Sequence, residues 1–280
     1  MKIKVLSDST CDLSAQLLQQ YDITLAPLTV IKGEEQFKDG VTITPADIFA
    51  HVAAGGALCS TAAVSIGEYE ELFARYSPDY DGVILVTIGS GFSACYQNAT
   101  IAAEDFPKVR VIDSRNLTTG QGFVALKACQ LAETATDLDE LADQLRAFTQ
   151  KVEASFLVDK LDYLVKGGRC SSAAAMGANL LNLKPCIEVK DGKMTVVKKY
   201  RGSFEKSLVS YVKERLAQRD DIDYGTMFLT QTVLADSSCE AVMDAVRTYG
   251  KFEQIHSTIA GCTISCHCGP GTLGIVFVRQ

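Results

Sequence analysis

No apolar run in these 280 residues approaches the roughly 18 that a helix needs to cross a bilayer, which sets aside a helical membrane protein. The start, MKIKVLSDST, lacks the apolar h-region of a signal peptide, so a cytoplasmic protein is expected. An excess of positive charge is missing too. With 27 Lys and Arg against 34 Asp and Glu, the net charge of −7 argues against a nucleic-acid binder. Ten cysteines (11, 59, 95, 129, 170, 186, 239, 262, 266 and 268) are too dilute for a disulfide scaffold. Most lie in apolar segments, where a thiol behaves as a small hydrophobe, and a reducing compartment fits. Walker-A loops, internal repeats and low-complexity linkers are all absent.

What is present begins with an uneven charge. From Lys160 to Lys206 there are ten Lys or Arg against four Asp or Glu, so this stretch carries +6 and the remainder −13. Such a patch serves either a partner or simply a solvated face.

The first half alternates strand and helix signals. Strands are expected at 3–7, 82–88 and 109–114, the second almost wholly apolar, as in a sheet buried on both faces. Helices are expected at 44–56 behind Thr44 and Pro45, and at 65–76 behind a Ser65–Glu68 capping box. Others are expected at 92–106, 119–135 and 137–154. This order implies βαβ units and a doubly wound parallel sheet.

The second half reads differently. A strand is expected at 154–159, then a short helix ended by Gly167 and Gly168, then a helix over 171–183 stopped by Pro185. Residues 186–200 form a hairpin on Asp191-Gly192. Helices at about 203–217 and 237–249 flank the strand YGTMFLT, and the chain closes with what read as three short strands. The expectation is an α/β protein of two domains, 1–153 with the doubly wound parallel sheet and 154–280 as an α/β domain with a mixed sheet.

The closing stretch GCTISCHCGPGTLGIVF, 261–277, holds three cysteines and His267. Read as a strand, it points Cys266 and Cys268 to one face and His267 to the other, and no distant pair completes a zinc site. Gly269 to Gly274 spells G-x-G-x-x-G, but a strand follows rather than the helix that would hold a pyrophosphate. His267 is then either structural or placed against something in the first domain.

Three first-domain strands end in small hydroxylated residues, and ligands of open α/β sheets bind beyond the carboxyl ends of strands. Ser93 follows one of them at a helix start, where free N–H groups favour an anion; the bland alternative is that Ser93 only caps the helix. As a hydrolase nucleophile Ser93 lacks the last glycine of G-x-S-x-G, and no acid is evident to orient His267.

Taken together, SDSTCDL (7–13), TIGSGFSACYQNA (87–99), VIDS (111–114), LDYLVKGGR (161–169), LNLKPCIEVKDGK (181–193), RG (201–202) and HCGPGTLGIVF (267–277) resemble the DegV family over nearly the whole chain. The resemblance implies a protein holding one long-chain fatty acid between two domains, with no catalysis and no cofactor or metal of its own. It implies presentation of the carboxylate to a separate ATP-using fatty-acid kinase subunit, which forms an acyl-phosphate for phospholipid synthesis, with transient membrane contact. On that pattern Thr61, Ser93, the N–H of Ala94 and His267 hold the carboxylate on first-domain loops. The tail lies in a tunnel on the second-domain side, and Arg169 and Arg201 serve kinase docking or the phosphate path. The rival is a Ser93/His267 acyl-transfer or hydrolase enzyme; a blander third is a lipid buffer with no kinase.

Two departures stand out. The family's Thr-Ser-x-Pro-Ser is Thr61-Ala62-Ala63-Val64-Ser65 here, which loses a hydroxyl and a rigid proline. Its Ser-Gly-Thr is Ser93-Ala94-Cys95, which adds a methyl where backbone approaches ligand.

Overall fold

The computed structural model describes residues 1–174 and 183–280. Its first half runs β1 (Ile3–Asp8), α1 (Ala15–Gln20), β2 (Thr24–Ala26), β3 (Thr29–Lys32), β4 (Glu35–Lys38), α2 (Pro45–Ala53), β5 (Ser60–Ala62) and α3 (Ile66–Tyr76). It continues with β6 (Gly82–Thr87), α4 (Cys95–Ala102), β7 (Val109–Asp113), α5 (Thr119–Ala132) and α6 (Leu138–Thr149). The second half holds β8 (Val152–Val158), α7 (Asp162–Gly167), α8 (Ser171–Ala174), β9 (Leu183–Lys190), β10 (Lys193–Arg201) and α9 (Phe204–Leu216). It ends with β11 (Ile222–Gln231), α10 (Asp236–Tyr249), β12 (Gln254–Ile259), α11 (Cys262–Cys268) and β13 (Thr272–Arg279).

The protein is α/β, as the alternation implied. A parallel sheet has the order β2-β1-β6-β7, so the winding reverses direction at the β1/β6 boundary. Loops leaving the carboxyl ends of those two strands diverge and open a crevice. Every residue of β6 is buried, which accounts for its unbroken apolar run. The second half builds a mixed sheet, β10-β9-β8-β13-β11-β12. One hydrophobic core joins Leu6, Ile84 and Phe123 of the first half to Phe156, Ile187 and Phe228 of the second, and the rings of Phe123 and Phe228 meet edge-on at 4.9 Å. A second core lies under α9 and α10, around Tyr211, Val212 and Phe277.

Local signals behave as the chemistry demands. Thr44 with Asp47 and Ser65 with Glu68 form reciprocal capping boxes on α2 and α3. Gly168, left-handed at φ 69°, ends α7. Asp191 and Gly192 turn the β9–β10 hairpin with φ of 52° and 71°, both positive as a type I′ turn requires.

Several expectations need correction. The helix expected at 92–106 is shorter, since α4 spans 95–102 and a 3₁₀ turn covers 103–105. That expected at 137–154 stops at Thr149, and β8 begins at Val152. Of the helix expected over 171–183, residues 175–182 lie outside the described residues. Pro185 is the third residue of β9, just outside its ladder with β8, where its missing N–H costs no bond. A small antiparallel sheet, β4-β3-β5, escaped the sequence reading. So did the helical state of residues 262–268: the closing segment is strand, helix, strand rather than three strands.

Candidate functional site

The crevice is organised from below by Asp8, the last residue of β1. Its buried carboxylate accepts hydrogen bonds from Thr10 N–H (3.1 Å) and hydroxyl (2.5 Å), from Ile88 N–H (2.7 Å) and from Gln121 Nε2 (2.9 Å). These bonds tie the end of β1 to the loop leaving β6; burial still pushes the carboxyl's pKa up, outweighing them. The β6 loop then carries Phe92, Ser93 and Ala94 into α4. Ser93 Oγ accepts the Cys95 N–H at 3.3 Å and donates to Cys95 Sγ at 3.2 Å. The N-cap of α4 is Ala94, with no side-chain cap, so Ser93 stands one residue before the cap and its proton goes to a weak acceptor that a stronger one would displace.

From the other side comes α11, with Cys266, His267 and Cys268 fanned round a helix instead of alternating across a strand. Cys266 joins Cys262, Cys59, Val30, Ile43 and Ile48 in a small apolar cluster, and Cys268 enters the main core. Burial pushes the Cys262 and Cys268 thiols up to about 12. Among the described residues no group of three or more His, Cys, Asp or Glu is placed to hold a metal, and all ten cysteines are free thiols. His267 turns to the crevice and meets Thr61: Oγ1 of Thr61 lies 2.8 Å from Nε2 of His267. Burial, with the Arg169 guanidinium nearby, pulls the imidazole down to about 4, so it is neutral near pH 7. Its Nδ1 is buried and has no partner among the described residues.

Thr61, Ser93, Ala94, Arg169 and His267 line one cavity of about 170 Å³, whose other walls include Phe92, Leu117, Met194 and Ile264. Arg201 is not among its lining residues; it stands exposed at the end of β10, opposite Leu183. Through Leu117, Ile264 and Cys268 the cavity adjoins a narrow apolar branch of about 30 Å³ that runs between Ala154, Phe156, Val189 and Val276. Of the departures noted above, Ala94 lines the cavity, Val64 is buried at 1% exposure, and Cys95 lies beneath Ser93.

Part of the basic stretch has a structural role. β10 is an edge strand of the mixed sheet and carries Lys193, Lys198, Lys199 and Arg201 with a bulge between Val196 and Lys198. Lysines and bulges on an edge discourage pairing with other chains. Lys198 pairs with Glu214, and Lys184 with Asp159 at 2.5 Å.

The sequence reading missed two residues that build the site. Asp12 and Asp39 are buried and reach across from the first half to the start of α11, where Gly261 N–H donates to Asp12 and Cys262 N–H to Asp39, each at 2.9 Å. Asp12 lies within SDSTCDL, among the hydroxylated residues that end β1, and Asp39 stands directly before Gly40. No local signal separates either from a loop aspartate.

These features define an α/β protein with an apolar cleft that ends in hydroxyls and a neutral imidazole. The family model described as "Uncharacterised protein, DegV family" matches residues 2–280, and the chain belongs to the DegV family. A DegV domain-containing protein of Clostridium perfringens is 30% identical, covering 100% of this chain and 99% of the relative. Among solved structures, one from Thermus thermophilus titled for fatty acid binding of a DegV family protein superposes with a TM-score of 0.89 at 26% identity, covering 100% of both chains. A stearic acid-binding protein from Eubacterium ventriosum gives a TM-score of 0.86 at 26% identity, covering 99% of this chain and 98% of the other. DegV from Bacillus subtilis, described as a fatty acid binding protein, gives 0.82 at 25% identity over 100% of both.

Proposed function

We propose that this protein binds one long-chain fatty acid in the cleft, with the carboxylate at Thr61, Ser93, the Ala94 N–H and His267 and the tail in the apolar branch. The single observation that carries the reading is the convergence of those four residues on one cavity whose continuation is apolar. The fatty-acid binding described for the Thermus thermophilus neighbour and the stearic acid binding described for the Eubacterium ventriosum one support it. Burying a sixteen-carbon tail gains roughly 12 kcal/mol gross relative to water, at about 0.8 per methylene, which is about what the tail forfeits on leaving a membrane. The apolar branch is narrow, so a tail enters by pushing its side chains aside.

In this reading the domains divide near residue 153, and the protein is a cytoplasmic carrier without catalysis of its own. No helix among the described residues is long and apolar enough to cross a membrane; loading from a membrane would need a transient contact. Hydroxyls and a neutral imidazole hold a carboxylate without a bidentate arginine, which leaves an oxygen open to attack on a phosphoryl donor. A separate ATP-using kinase subunit would supply that donor, form the acyl-phosphate used in phospholipid synthesis, and dock at Arg169 and Arg201. The rival acyl-transfer enzyme finds little support: the hydrogen-bond partner of His267 is Thr61 rather than Ser93, and among the described residues no carboxylate orients its Nδ1.

Native mass spectrometry after incubation with palmitate tests the binding claim. One added fatty acid per chain, weakened by Ser93→Ala, is the expected result; a mass that stays free of lipid would refute it. Acyl-phosphate formed with a matched kinase, and lost in Arg169→Ala, tests the partner claim.

A further inference from the structure

The start of α11 carries three donors for which its own segment supplies no acceptor. They converge on one carboxylate: Asp39 accepts from Cys262 N–H at 2.9 Å, Thr263 N–H at 3.1 Å and the Thr263 hydroxyl at 2.6 Å. The same carboxylate accepts from Ser9 Oγ at 3.0 Å and is 4% exposed. Beside it, Asp12 takes the Gly261 N–H at 2.9 Å and the Thr118 hydroxyl at 2.6 Å. Both aspartates belong to the first half of the chain, and the residue preceding α11, Gly261, has no side chain with which to cap it.

A seven-residue helix is marginal by itself. This one exists because acceptors more than two hundred positions away satisfy its first turn. Its last turn carries His267, four residues after Thr263 and therefore on the same face. The sheet β4-β3-β5 completes the relationship. Val30 of β3 pairs with Thr61 of β5, and Thr29 pairs with Lys38, the residue before Asp39. One small sheet therefore sets both ends of the Thr61–His267 contact: Thr61 directly, and His267 through the carboxylate of Asp39.

We propose that Asp39 is a positioning residue for His267: by capping α11 from the opposite half of the chain it aims the imidazole at Thr61 and makes assembly of the carboxylate site conditional on docking of the two halves. Asp12 braces the same helix start from the β1 side. Use of the assembled site for a fatty-acid carboxylate rests on the function proposed above; the aiming of His267 does not.

The full chain tests this as Asp39→Asn, with nitrogen-15 NMR of the His267 ring as a readout that simple loss of stability in a folded variant would not move. Asparagine keeps the size and one acceptor oxygen but turns an amide toward donors. In folded Asp39→Asn the His267 ring signals should shift without ligand, and the ring's apparent pKa should climb from about 4 toward the ordinary value as water reaches it. Palmitate retention, read by native mass spectrometry, should fall at least tenfold. His267 signals and titration unchanged in folded Asp39→Asn would overturn the proposal. Should that variant not fold, Thr263→Val removes only the hydroxyl end of the cap; the same shifts, smaller, are expected, and their absence would overturn the proposal equally. Wild-type protein that takes up no palmitate would sink the fatty-acid reading alone, with the NMR comparison still deciding the role of Asp39.

Discussion

Thr61 Oγ1 and His267 Nε2 stand 2.8 Å apart although 206 positions separate them in the chain. The contact joins β5, in the small sheet of the first half, to the last turn of α11 in the second. Each partner is held from behind, Thr61 by the β3 ladder and His267 by its aspartate-capped helix. What forms between them is a preorganised polar end to an otherwise apolar cleft.

The ionisation of His267 should report on the site. In the ligand-free protein its imidazole should titrate near 4, because burial and Arg169 both disfavour the charged form. Arg169→Ala should raise that value, and a bound carboxylate should raise it further, so fatty-acid binding takes up protons below neutral pH. The stability consequence follows from proton counting. Between about 4 and 6.5 the unfolded chain binds the proton that the folded chain refuses, so this contribution is complete above about 6.5 and fades as pH falls. NMR titration with and without palmitate checks it.

Asp12 should act in the opposite sense. Burial pushes its carboxyl to about 8, with the nearby Asp39 and Asp8 carboxylates adding to the rise. The folded state then holds a proton that the unfolded state releases near 4, and stability declines as pH rises between those values. His267 offsets part of this below about 6.5, so the clean window is pH 6.5 to 8. Thermal unfolding midpoints should fall across that window in wild type and stay flatter in Asp12→Asn.

Ser93→Ala and Thr61→Val should separate binding from folding. On the proposed function each removes one hydrogen bond to the fatty-acid carboxylate, worth about 1.5–3 kcal/mol, or roughly ten- to a hundredfold in affinity. Unfolding midpoints should move little in Ser93→Ala, since Ser93 Oγ serves only a long N–H bond and a thiol, and should fall further in Thr61→Val, which takes the 2.8 Å partner from His267 Nε2. A calorimetric titration with a soluble medium-chain acid reads the first effect, circular dichroism the second.

Gly91 should be intolerant of a side chain. A Cβ there would lie 2.2 Å from the backbone oxygen of Gly192, where the β9–β10 turn packs on the Ser93 loop and Arg115 reaches Asp191 at 3.4 Å. Gly91→Ala should force the hairpin away at a cost of about 1–3 kcal/mol and speed fatty-acid release. Gly67→Ala is the control. It lies in α3 with nothing within 4 Å of its Cβ position and should stabilise slightly. Midpoints from thermal scans, with release rates, distinguish the two.

Legibility tracked how local the cause was. The capping boxes at Thr44 and Ser65, the buried run of β6 and the Asp191-Gly192 turn are written in adjacent residues, and the sequence displays them. Thr61, Ser93, Ala94, Arg169 and His267 could be nominated because they recur in the motifs that resemble the family, and the structure brings all five to one cavity. The helix that carries His267 was illegible for a physical reason. TISCHC has strand-like composition, and its cap is supplied by Asp12 and Asp39 from the far end of the chain. The short strands β3, β4 and β5 were equally hidden, since three or four residues each leave no periodicity to read. Arg201, nominated with Arg169, sits on an edge strand where basic residues have a use of their own.

A crystal structure of the protein grown with palmitate tests fatty-acid binding at the Thr61–His267 site most directly. One fatty acid is expected, its carboxylate oxygens within hydrogen-bond distance of Thr61, Ser93 and His267 and its tail running past Leu117 and Ile264 toward Phe156. A palmitate seated elsewhere, or lying in the cleft with its carboxylate turned away from Thr61 and His267, would contradict it.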